Sequence, residues 1–370
     1  MFNKVRGLDV IRRFDYILLT LVLILTAVGF LVLRSATATM NTGASIIKMQ
    51  LIAIVLGVII GIVLSLIDYQ YFKPYGVFIY IIAIVLLIYV IPYGYGRELF
   101  GSNSWIKLPN GSTFQPAEIA KLAYVMVVPA LLAKLKEEFD IKILILTIIS
   151  SVLPIILILM QPEFGTAVVF SISLLMMLFI YGIKFKWFAI GVGVLISMIP
   201  VIWLFLKEYQ KTRIITLLNP SSAKADNYQI AKAKMAIGSG QLTGQGLFNG
   251  NLTQNGSTGL PIKDTDFIFS VAGEELGFIG VVIIVGLLFL IIARIIYIAA
   301  TSDDLYGKFI ASGIVGILMF HFIENVGMNV GVLPISGIPL PFVSGGGSAM
   351  LINYALIGLV LSISMRRRRN

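Results

Sequence analysis

The sequence predicts an all-α polytopic integral membrane protein, with ten transmembrane helices in a single membrane domain over residues 1–370. Hydrophobic residues make up 58% of the chain and charged residues 12%, which is more apolar surface than a soluble core could bury. The apolar runs are about 20 residues long, the length that a helix needs to cross about 30 Å of hydrocarbon. Only helices fit such runs, because lipid offers no partner to a free backbone amide.

The helices are placed by the changes from apolar to polar sequence. The predicted spans cover residues 15–34, 46–67, 75–94, 116–133, 141–160, 165–182, 187–206, 267–297, 307–329 and 346–364. Arg12 and Arg13 precede the first span and Arg366 to Arg369 follow the last, so both termini are predicted to be cytoplasmic. The net charge of +10 reflects this topology and an attraction to anionic membrane lipids, and no solvated basic face suggests nucleic-acid binding.

A long connection, residues 207–266, is predicted to form a large extracellular loop between the seventh and eighth spans. Within it, "YQIAKAKMAIGSG" predicts a short amphipathic helix at the membrane surface, with Ile230, Ala233, Met235 and Ile237 as its apolar set. The stretch that follows is rich in Gly, Asn and Thr and predicts irregular backbone with exposed amides.

Four carboxylates lie at or just inside the start of the eighth span, in "LPIKDTDFIFSVAGEELGF". The simpler interpretation of Asp264 and Asp266 is helix capping, with Asp264 or Thr265 as the N-cap. Alternatively, one of the two carboxylates is a general base at the outer membrane surface. Glu274 and Glu275 lie two turns further in, and the pattern does not decide between a functional and a buried structural pair.

Other charged residues have a structural and a functional interpretation. The spacing of Glu118 and Lys121, at i and i+3, predicts an intrahelical ion pair. Near lipid such a pair must either be shielded by the bundle or take part in function. Glu163 opens the sixth span, where it would cap the helix. Arg213 suggests an anion clamp or, more simply, a solvated loop charge. His321 is the only histidine and predicts a hydrogen bond within the bundle rather than catalysis; with no cysteine in the chain, a zinc site is not expected.

Taken together and in order, these stretches resemble the SEDS family (shape, elongation, division and sporulation) of peptidoglycan polymerases. The resemblance rests on "WIKLPNGSTFQPAEIAKL", "QPEFGTA", "YQKTRIITLLNP", "YQIAKAKMAIGSGQLTGQGL", "DTDFIFSVAGEELGF" and "GMNVGVLPISGIPLPFVSGGGS". It covers nearly the whole chain. It implies ten helices in the bacterial cytoplasmic membrane, with the large loop and the active site outside.

The resemblance also implies a reaction, the polymerisation of lipid II into glycan strands during cell elongation. In this reaction the 4-hydroxyl of the acceptor GlcNAc attacks the anomeric carbon of the donor MurNAc with inversion, and undecaprenyl pyrophosphate leaves. A base must take the hydroxyl proton, and cations must stabilise the leaving group. The implied partners are a class B penicillin-binding protein and the elongation machinery. No organic cofactor is implied, and a divalent cation, Mg or Mn, is left open.

Individual residues acquire expected roles from the resemblance. Asp266 matches the family's essential aspartate and is implied to be the base, or a carboxylate that holds a metal ion. Asp264 replaces a histidine of the family pattern, and its like charge would raise the pKa of one of the two carboxylates. Glu274 and Glu275 are expected to organise the bundle beneath the site. The residues expected to contact substrate are Glu118, Lys121, Glu163, Trp105, Arg213 and Ser344.

Two alternative functions fit the same residues. A lipid II flippase would use similar charges, but it would need a polar path across the whole membrane, whereas the irregular segments and Asp266 are all predicted outside. A non-catalytic scaffold for a penicillin-binding protein would need no catalytic carboxylate. Activity that survives the loss of Asp266 would therefore favour the scaffold.

Overall fold

The structure is a computed structural model that describes residues 13–96, 103–107, 113–184, 186, 211, 215, 225–255 and 259–367. The helices are α1 (Tyr16–Ala36), α2 (Gly43–Leu66), α3 (Phe72–Tyr93), α4 (Pro116–Glu137), α5 (Ile141–Met160), α6 (Phe164–Tyr181), α7 (Ala225–Ser239), α8 (Ile268–Ala300), α9 (Leu305–Asn329) and α10 (Gly347–Arg366). A 3₁₀ turn (Tyr69–Tyr71) precedes α3. The strands β1 (Ile106–Lys107) and β2 (Thr113–Phe114) pair antiparallel, with Ile106 opposite Phe114.

Nine helices in the described part of the chain, all of these except α7, are long and apolar enough to cross a membrane. They correspond to nine of the predicted spans, so a multi-pass membrane protein is confirmed. The seventh predicted span, 187–206, lies outside the described residues. The total of ten therefore stays a prediction.

Polar residues and prolines set the starts of several helices. Asp15, Asp140 and Asp304 are the N-caps of α1, α5 and α9, and each carboxylate accepts a backbone amide, at 3.1, 2.8 and 3.2 Å respectively. Pro116 opens α4, where its missing amide has no partner to lose. α6 ends at Gly182, whose φ of 92° forms a left-handed cap.

Three helices form the centre of the bundle. Of the 18 most apolar consecutive residues in each helix, about three quarters are buried in α4 (78%), α9 (72%) and α10 (78%). The corresponding share is 28% in α2 and 22% in the span that contains α3. α10 packs on α2, α9 on α6 and α8, α3 on α4, and α1 on α8. At the contact of α10 with α2, a Cβ on Gly358 would lie 2.6 Å from the carbonyl oxygen of Gly61, so this approach requires glycine.

The start of α1 and the end of α10 meet at one end of the bundle. Arg294 of α8 donates from Nε to both carboxylate oxygens of Asp15, at 3.1 and 3.0 Å. Arg367, just after α10, lies 3.6 Å from the same carboxylate. One buried aspartate therefore holds the start of α1 and the end of α10 on the same side, as predicted for two termini on one face of a membrane.

α8 is interrupted at Gly277, which has φ 68° and ψ −167°. Residues 240–255, here called the wedge segment, supply backbone partners to the groups that the interruption leaves without helical bonds. These hydrogen bonds join Gln245 N to Glu274 O (2.9 Å), Gly246 N to Glu275 O (3.0 Å), Phe278 N to Gln241 O (2.8 Å) and Ile279 N to Leu242 O (3.1 Å). The span predicted over 267–297 is present, but its helix is interrupted at Gly277, because a segment distant in the sequence stabilises the break.

α7 confirms the helix predicted in the long connection, and it packs against α8 and α9. Ala233 is fully buried, and Ile230 and Ile237 are half-buried. Met235 is 57% exposed, so its place in the predicted apolar set is wrong, and Ala236 takes that place. Residues two apart on a helix point in nearly opposite directions, which carries Met235 away from the face of Ala233.

Candidate active site

The turn before α8 is held through its backbone carbonyls. The amide of Gly345 donates to the carbonyl of Asp264 at 2.8 Å, and the hydroxyl of Ser344 donates to the carbonyl of Thr265 at 2.7 Å. The same hydroxyl accepts a hydrogen bond from the amide of Leu340 at 2.8 Å. Ser344 is buried, and both of these contacts are to backbone, so the structure gives it a part in fixing the turn.

The next carbonyl, that of Asp266, is bound from α9. The side-chain amides of Asn325 and Asn329 donate to it at 3.1 and 2.9 Å, and both asparagines are fully buried. Asp264 and Asp266 are themselves half-buried. Sequence reasoning assigned neither asparagine a role, although their spacing of one helical turn in "ENVGMN" was an available signal.

Capping of α8 by Asp264 or Thr265 is wrong. The helix begins at Ile268, and Phe267 holds the N-cap position without a side-chain cap. The amide of Phe267 donates to the carbonyl of Ile262 at 3.2 Å, which closes a turn and moves the helix start beyond both aspartates. The carboxylates therefore belong to the turn and not to the helix cap.

Burial raises the pKa of Asp264 above its ordinary value, and Lys263 opposes the rise. A raised pKa at one of the two aspartates was predicted, but the cause is burial rather than the neighbouring carboxylate. Lys263 is itself buried, and its ammonium group donates to the carbonyl of Thr253 and, at 2.9 Å, to the hydroxyl of Thr39. Burial lowers the pKa of Lys263, and Glu275 is the first of the acids that oppose this shift.

A second set of charged residues is buried between α4, α6 and α9. Glu118 Oε1 lies 2.8 Å from Lys121 Nζ, with side chains 6% and 2% exposed, which confirms the predicted ion pair. Glu163 stands at the N-cap position of α6 without a side-chain cap hydrogen bond, and it accepts a hydrogen bond from Gln115. Burial raises the pKa of Glu163 to about 7; Glu118 adds to the rise and Lys121 opposes it.

His321 of α9 joins this buried set. Its Nδ1 lies 3.1 Å from the carbonyl of Pro339, which can only accept, so Nδ1 carries the proton. Its Nε2 then accepts from Lys121 Nζ, at 3.4 Å. The predicted role of His321 in a hydrogen bond within the bundle is confirmed.

Residues 337–339 lie between the buried set and the aspartate turn. The carbonyl of Ile338 accepts from Asn325 at 2.9 Å, so one asparagine binds both this segment and the turn. A Cβ on Gly337 would lie 3.7 Å from Asp266 Oδ2. The segment that contacts His321 on one side therefore borders the Asp266 carboxylate on the other.

Glu274 and Glu275 are fully buried and face the wedge segment. Glu274 accepts from the amide of Leu252 at 2.7 Å and from the amide and hydroxyl of Thr253 at 2.8 and 2.6 Å. Glu275 accepts from the side chain of Gln254 at 2.8 Å. Of the two interpretations left open for this pair, the contacts support the structural one.

The remaining predicted site residues are placed apart or not described. Trp105 is half-buried beside the strand pair of β1 and β2, and its carbonyl accepts from the amide of Tyr95 at 2.7 Å. Arg213 lies outside the described residues. Within the described ranges, no three His, Asp or Glu side chains are placed to hold a metal ion. Asp264 and Asp266 could supply two carboxylates, with a substrate's oxygens completing the site.

Comparison with known proteins places the chain in a family. The profile described as cell cycle protein (FtsW, RodA and SpoVE) matches residues 15–369. The chain is 34% identical over 356 residues to the peptidoglycan glycosyltransferase MrdB of Escherichia coli K12, covering 96% of this chain and 94% of MrdB. It is 33% identical over 369 residues to the probable peptidoglycan glycosyltransferase FtsW of Trichlorobacter lovleyi, with the same coverage of 96% and 94%.

Solved structures agree with this placement. A chain from a peptidoglycan synthase complex that coordinates polymerization and crosslinking superimposes with a TM-score of 0.81 at 28% identity, covering 96% of this chain and 99% of that one. The rod shape determining protein RodA of Thermus thermophilus gives a TM-score of 0.70 at 25% identity, covering 96% and 98%. The fold, the motifs and the relatives agree, and the chain belongs to the FtsW, RodA and SpoVE family of cell cycle proteins.

Proposed function

We propose that the chain is a peptidoglycan glycosyltransferase that polymerises lipid II, with Asp266 as its catalytic carboxylate. The observation that carries the proposal is the turn before α8: every backbone carbonyl from 264 to 266 accepts a hydrogen bond, while both aspartates are only half-buried. Relatives across nearly the full chain carry the name peptidoglycan glycosyltransferase. Proton transfer requires a carboxylate at a fixed position, and a backbone held by hydrogen bonds provides this.

Asp266 takes the proton from the 4-hydroxyl of the acceptor sugar as that oxygen attacks the anomeric carbon of the donor. The bond to the pyrophosphate oxygen breaks with its electron pair, and the anomeric centre inverts. Asp264 lies two residues away, and its raised pKa lessens the repulsion between the carboxylates whenever it holds its proton. Arg213 and Trp105 remain proposed contacts of the pyrophosphate and the sugars.

The buried charged residues Glu118, Lys121, Glu163 and His321 pack next to the site and do not form part of its surface. Lys121 and Glu118 are too deeply buried to meet a sugar in this structure, and through His321 they contact the segment that borders Asp266. We therefore assign Glu118, Lys121 and Glu163 to holding residues 337–339 in place. Ser344 holds the turn itself.

A divalent cation at the turn is part of the proposal. Asp264 and Asp266 are the residues that would hold Mg²⁺ or Mn²⁺, since such ions combine one or two carboxylates with phosphate oxygens of the substrate. When bound, the ion would neutralise charge on the leaving pyrophosphate.

We assign the chain to the bacterial cytoplasmic membrane, with ten spans and Asp266 outside. Cations flank both ends of the chain, and the contact of Asp15 with Arg367 supports two termini on one face, which requires an even number of spans. A role in elongation is proposed from the motifs "FNGNLTQ" and "GMNVGVLPISGIPLPF". A class B penicillin-binding protein is the proposed partner, because a similar solved chain comes from a complex that couples polymerization to crosslinking.

The test is glycan-strand formation from purified lipid II by this chain with its penicillin-binding partner. Asp266→Asn keeps the shape of the side chain and removes the base, so we expect product to fall by at least about 100-fold. The matched control is Asp303→Asn, an exposed aspartate in the connection between α8 and α9, which should leave product unchanged. Complex yield and thermal unfolding establish that each variant is folded.

Unchanged product in Asp266→Asn would reject Asp266 as the catalytic group and favour the scaffold. Absence of product even in the wild type, with lipid II moved across the bilayer of proteoliposomes, would favour the flippase. Product lost equally in both aspartate variants would indicate damage to the preparation rather than loss of a catalytic group.

A further inference from the structure

α8 begins without a cap from its own turn. Phe267 holds the N-cap position, and no side-chain cap bond is made from there. The amide of Ser270, at position N3, donates to the carbonyl of Phe267 at 3.0 Å and also to Oδ1 of Asn329 at 3.1 Å, and the hydroxyl of Ser270 donates to the same Asn329 oxygen at 2.5 Å. The N3 amide is one that an N-cap side chain normally satisfies. Asn329 therefore caps α8 from the neighbouring helix α9.

The nitrogen of the same carboxamide serves the aspartate turn. Asn329 Nδ2 donates to the carbonyl of Asp266 at 2.9 Å and to the carbonyl of Asn325 at 2.8 Å. One planar group thus binds the first turn of α8 with its acceptor and the carbonyl of Asp266 with its donor. Asn329 is fully buried, so water does not compete for these bonds.

We propose that Asn329 is a positioning residue for Asp266, an inference that rests on the proposed function. Aspartate is among the residues most favoured as helix N-caps, and two of them precede α8. By capping the N3 amide from outside, Asn329 removes the need for either carboxylate to turn back toward the helix. By binding the carbonyl of Asp266, it fixes the backbone from which that side chain projects.

The proposal depends on a group that donates and accepts at once. Aspartate at position 329 would present only acceptors and would face the carbonyls of Asp266 and Asn325 without a donor. Alanine would leave the Ser270 amide and the Asp266 carbonyl without this partner. In either case the turn and the first turn of α8 lose the group that couples them.

The first experiment compares Asn329→Ala with Asn353→Ala in the purified chain with its partner. Asn353 is a buried asparagine on α10 whose Oδ1 has no hydrogen-bond partner among the described residues, so it controls for deletion of a buried carboxamide. Initial rates of glycan formation over a range of lipid II concentrations give kcat and KM separately. The wild type and Asp266→Asn, measured in parallel, test the proposed function itself.

We expect Asn329→Ala to lower kcat by about 10- to 100-fold, because a displacement of about 1 Å at a catalytic group has an effect of this size, and to change KM by less than about threefold. Asn353→Ala should keep kcat within about threefold of wild type. An unchanged kcat in folded Asn329→Ala overturns the proposal. So does an equal loss in both asparagine variants, since that would indicate a general effect of the cavity.

A second pair of measurements keeps the proposal testable if Asn329→Ala does not fold or if the chain proves to have another activity. Ser270→Ala deletes only the hydroxyl bond to Asn329, and we expect it to speed hydrogen exchange at the amides of residues 268–271 relative to Asn353→Ala. This readout does not depend on glycan formation. A Ser270 amide that exchanges in Asn353→Ala as fast as in an unprotected peptide would overturn the external cap, because its hydrogen bond to Asn329 is intact in that variant.

Discussion

Thr253 donates two hydrogen bonds to one oxygen of Glu274, from its amide at 2.8 Å and from its hydroxyl at 2.6 Å. Both residues are fully buried, and the other oxygen of Glu274 accepts from the amide of Leu252 at 2.7 Å. A carboxylate suits this site because the three groups that hydrogen-bond to it are all donors. The wedge segment is therefore fastened to α8 by hydrogen bonds to a charged group.

Replacing Glu274 with glutamine should destabilise the fold. The NH₂ group of the glutamine would face backbone amides or a hydroxyl that also donate, so at least one hydrogen bond would be lost. Each hydrogen bond to a charged group contributes about 1.5–3 kcal/mol. We expect a lower midpoint of thermal unfolding in detergent and faster hydrogen exchange at residues 252 and 253. Glu138→Gln, at an exposed glutamate after α4, is the control and should change neither. Equal midpoints for the two variants would show that Glu274 is not a fastening residue.

Gly277 should not tolerate a side chain, while another glycine of the same helix should. Its φ of 68° and ψ of −167° lie in a region that only glycine adopts readily, and a Cβ there would lie 2.2 Å from the amide nitrogen of Gly244. Gly277→Ala is therefore expected to cost at least about 1–3 kcal/mol. A Cβ at Gly286 would have no heavy atom within 4 Å, so Gly286→Ala should raise the free energy of unfolding by up to about 1 kcal/mol. Thermal unfolding of the two variants decides, and a stable Gly277→Ala would contradict the break.

The buried pair of Glu118 and Lys121 should show strong coupling. Removing one partner leaves an unpaired buried charge, so Lys121→Met and Glu118→Gln are each expected to cost about 3–5 kcal/mol. The double variant buries no charge and should cost clearly less than the sum of the two. Additive free energies of unfolding from the four proteins would mean that the contact does not stabilise the fold.

The raised pKa of Glu163 predicts that the stability of the fold decreases as pH rises. Its pKa in the fold is about 7 against 4.5 as the ordinary value, so between these limits the folded chain holds a proton that the unfolded chain has released. The free energy of unfolding should therefore fall as pH rises from about 4.5 to about 7. Glu163→Gln removes this contribution. The difference between wild type and variant, measured by thermal unfolding across that range, should decline with pH, and a flat or rising difference would refute it.

Local sequence signals were sufficient for the elements and for the position of the candidate carboxylates along the chain. The apolar runs predicted the nine spans within the described residues, because burial in lipid depends on a segment's own composition. The spacing of Glu118 and Lys121 predicted their ion pair. The carboxylates of Asp264 and Asp266 were correctly placed at the start of the eighth span.

The details of the site depend on contacts between residues far apart in the chain, which no local pattern contains. Phe267 replaces the expected cap because Asn329, from another helix, binds the first turn of α8. Met235 was placed in the apolar set by its residue type, although its helical position faces away. Gly277 gave a weak signal in "EELGF", and only the wedge segment makes the break stable.

The break at Gly277 divides α8 into a long part and a short part. Residues 278–300 form about 34 Å of helix, which alone suffices to cross about 30 Å of hydrocarbon. Residues 268–276 add about 13 Å, surrounded by wedge-segment backbone that acyl chains could not satisfy. On the proposed function, the Asp266 turn lies beyond the part of α8 that crosses the hydrocarbon, and we expect it to favour substrates whose headgroup holds the reacting sugar away from the membrane anchor.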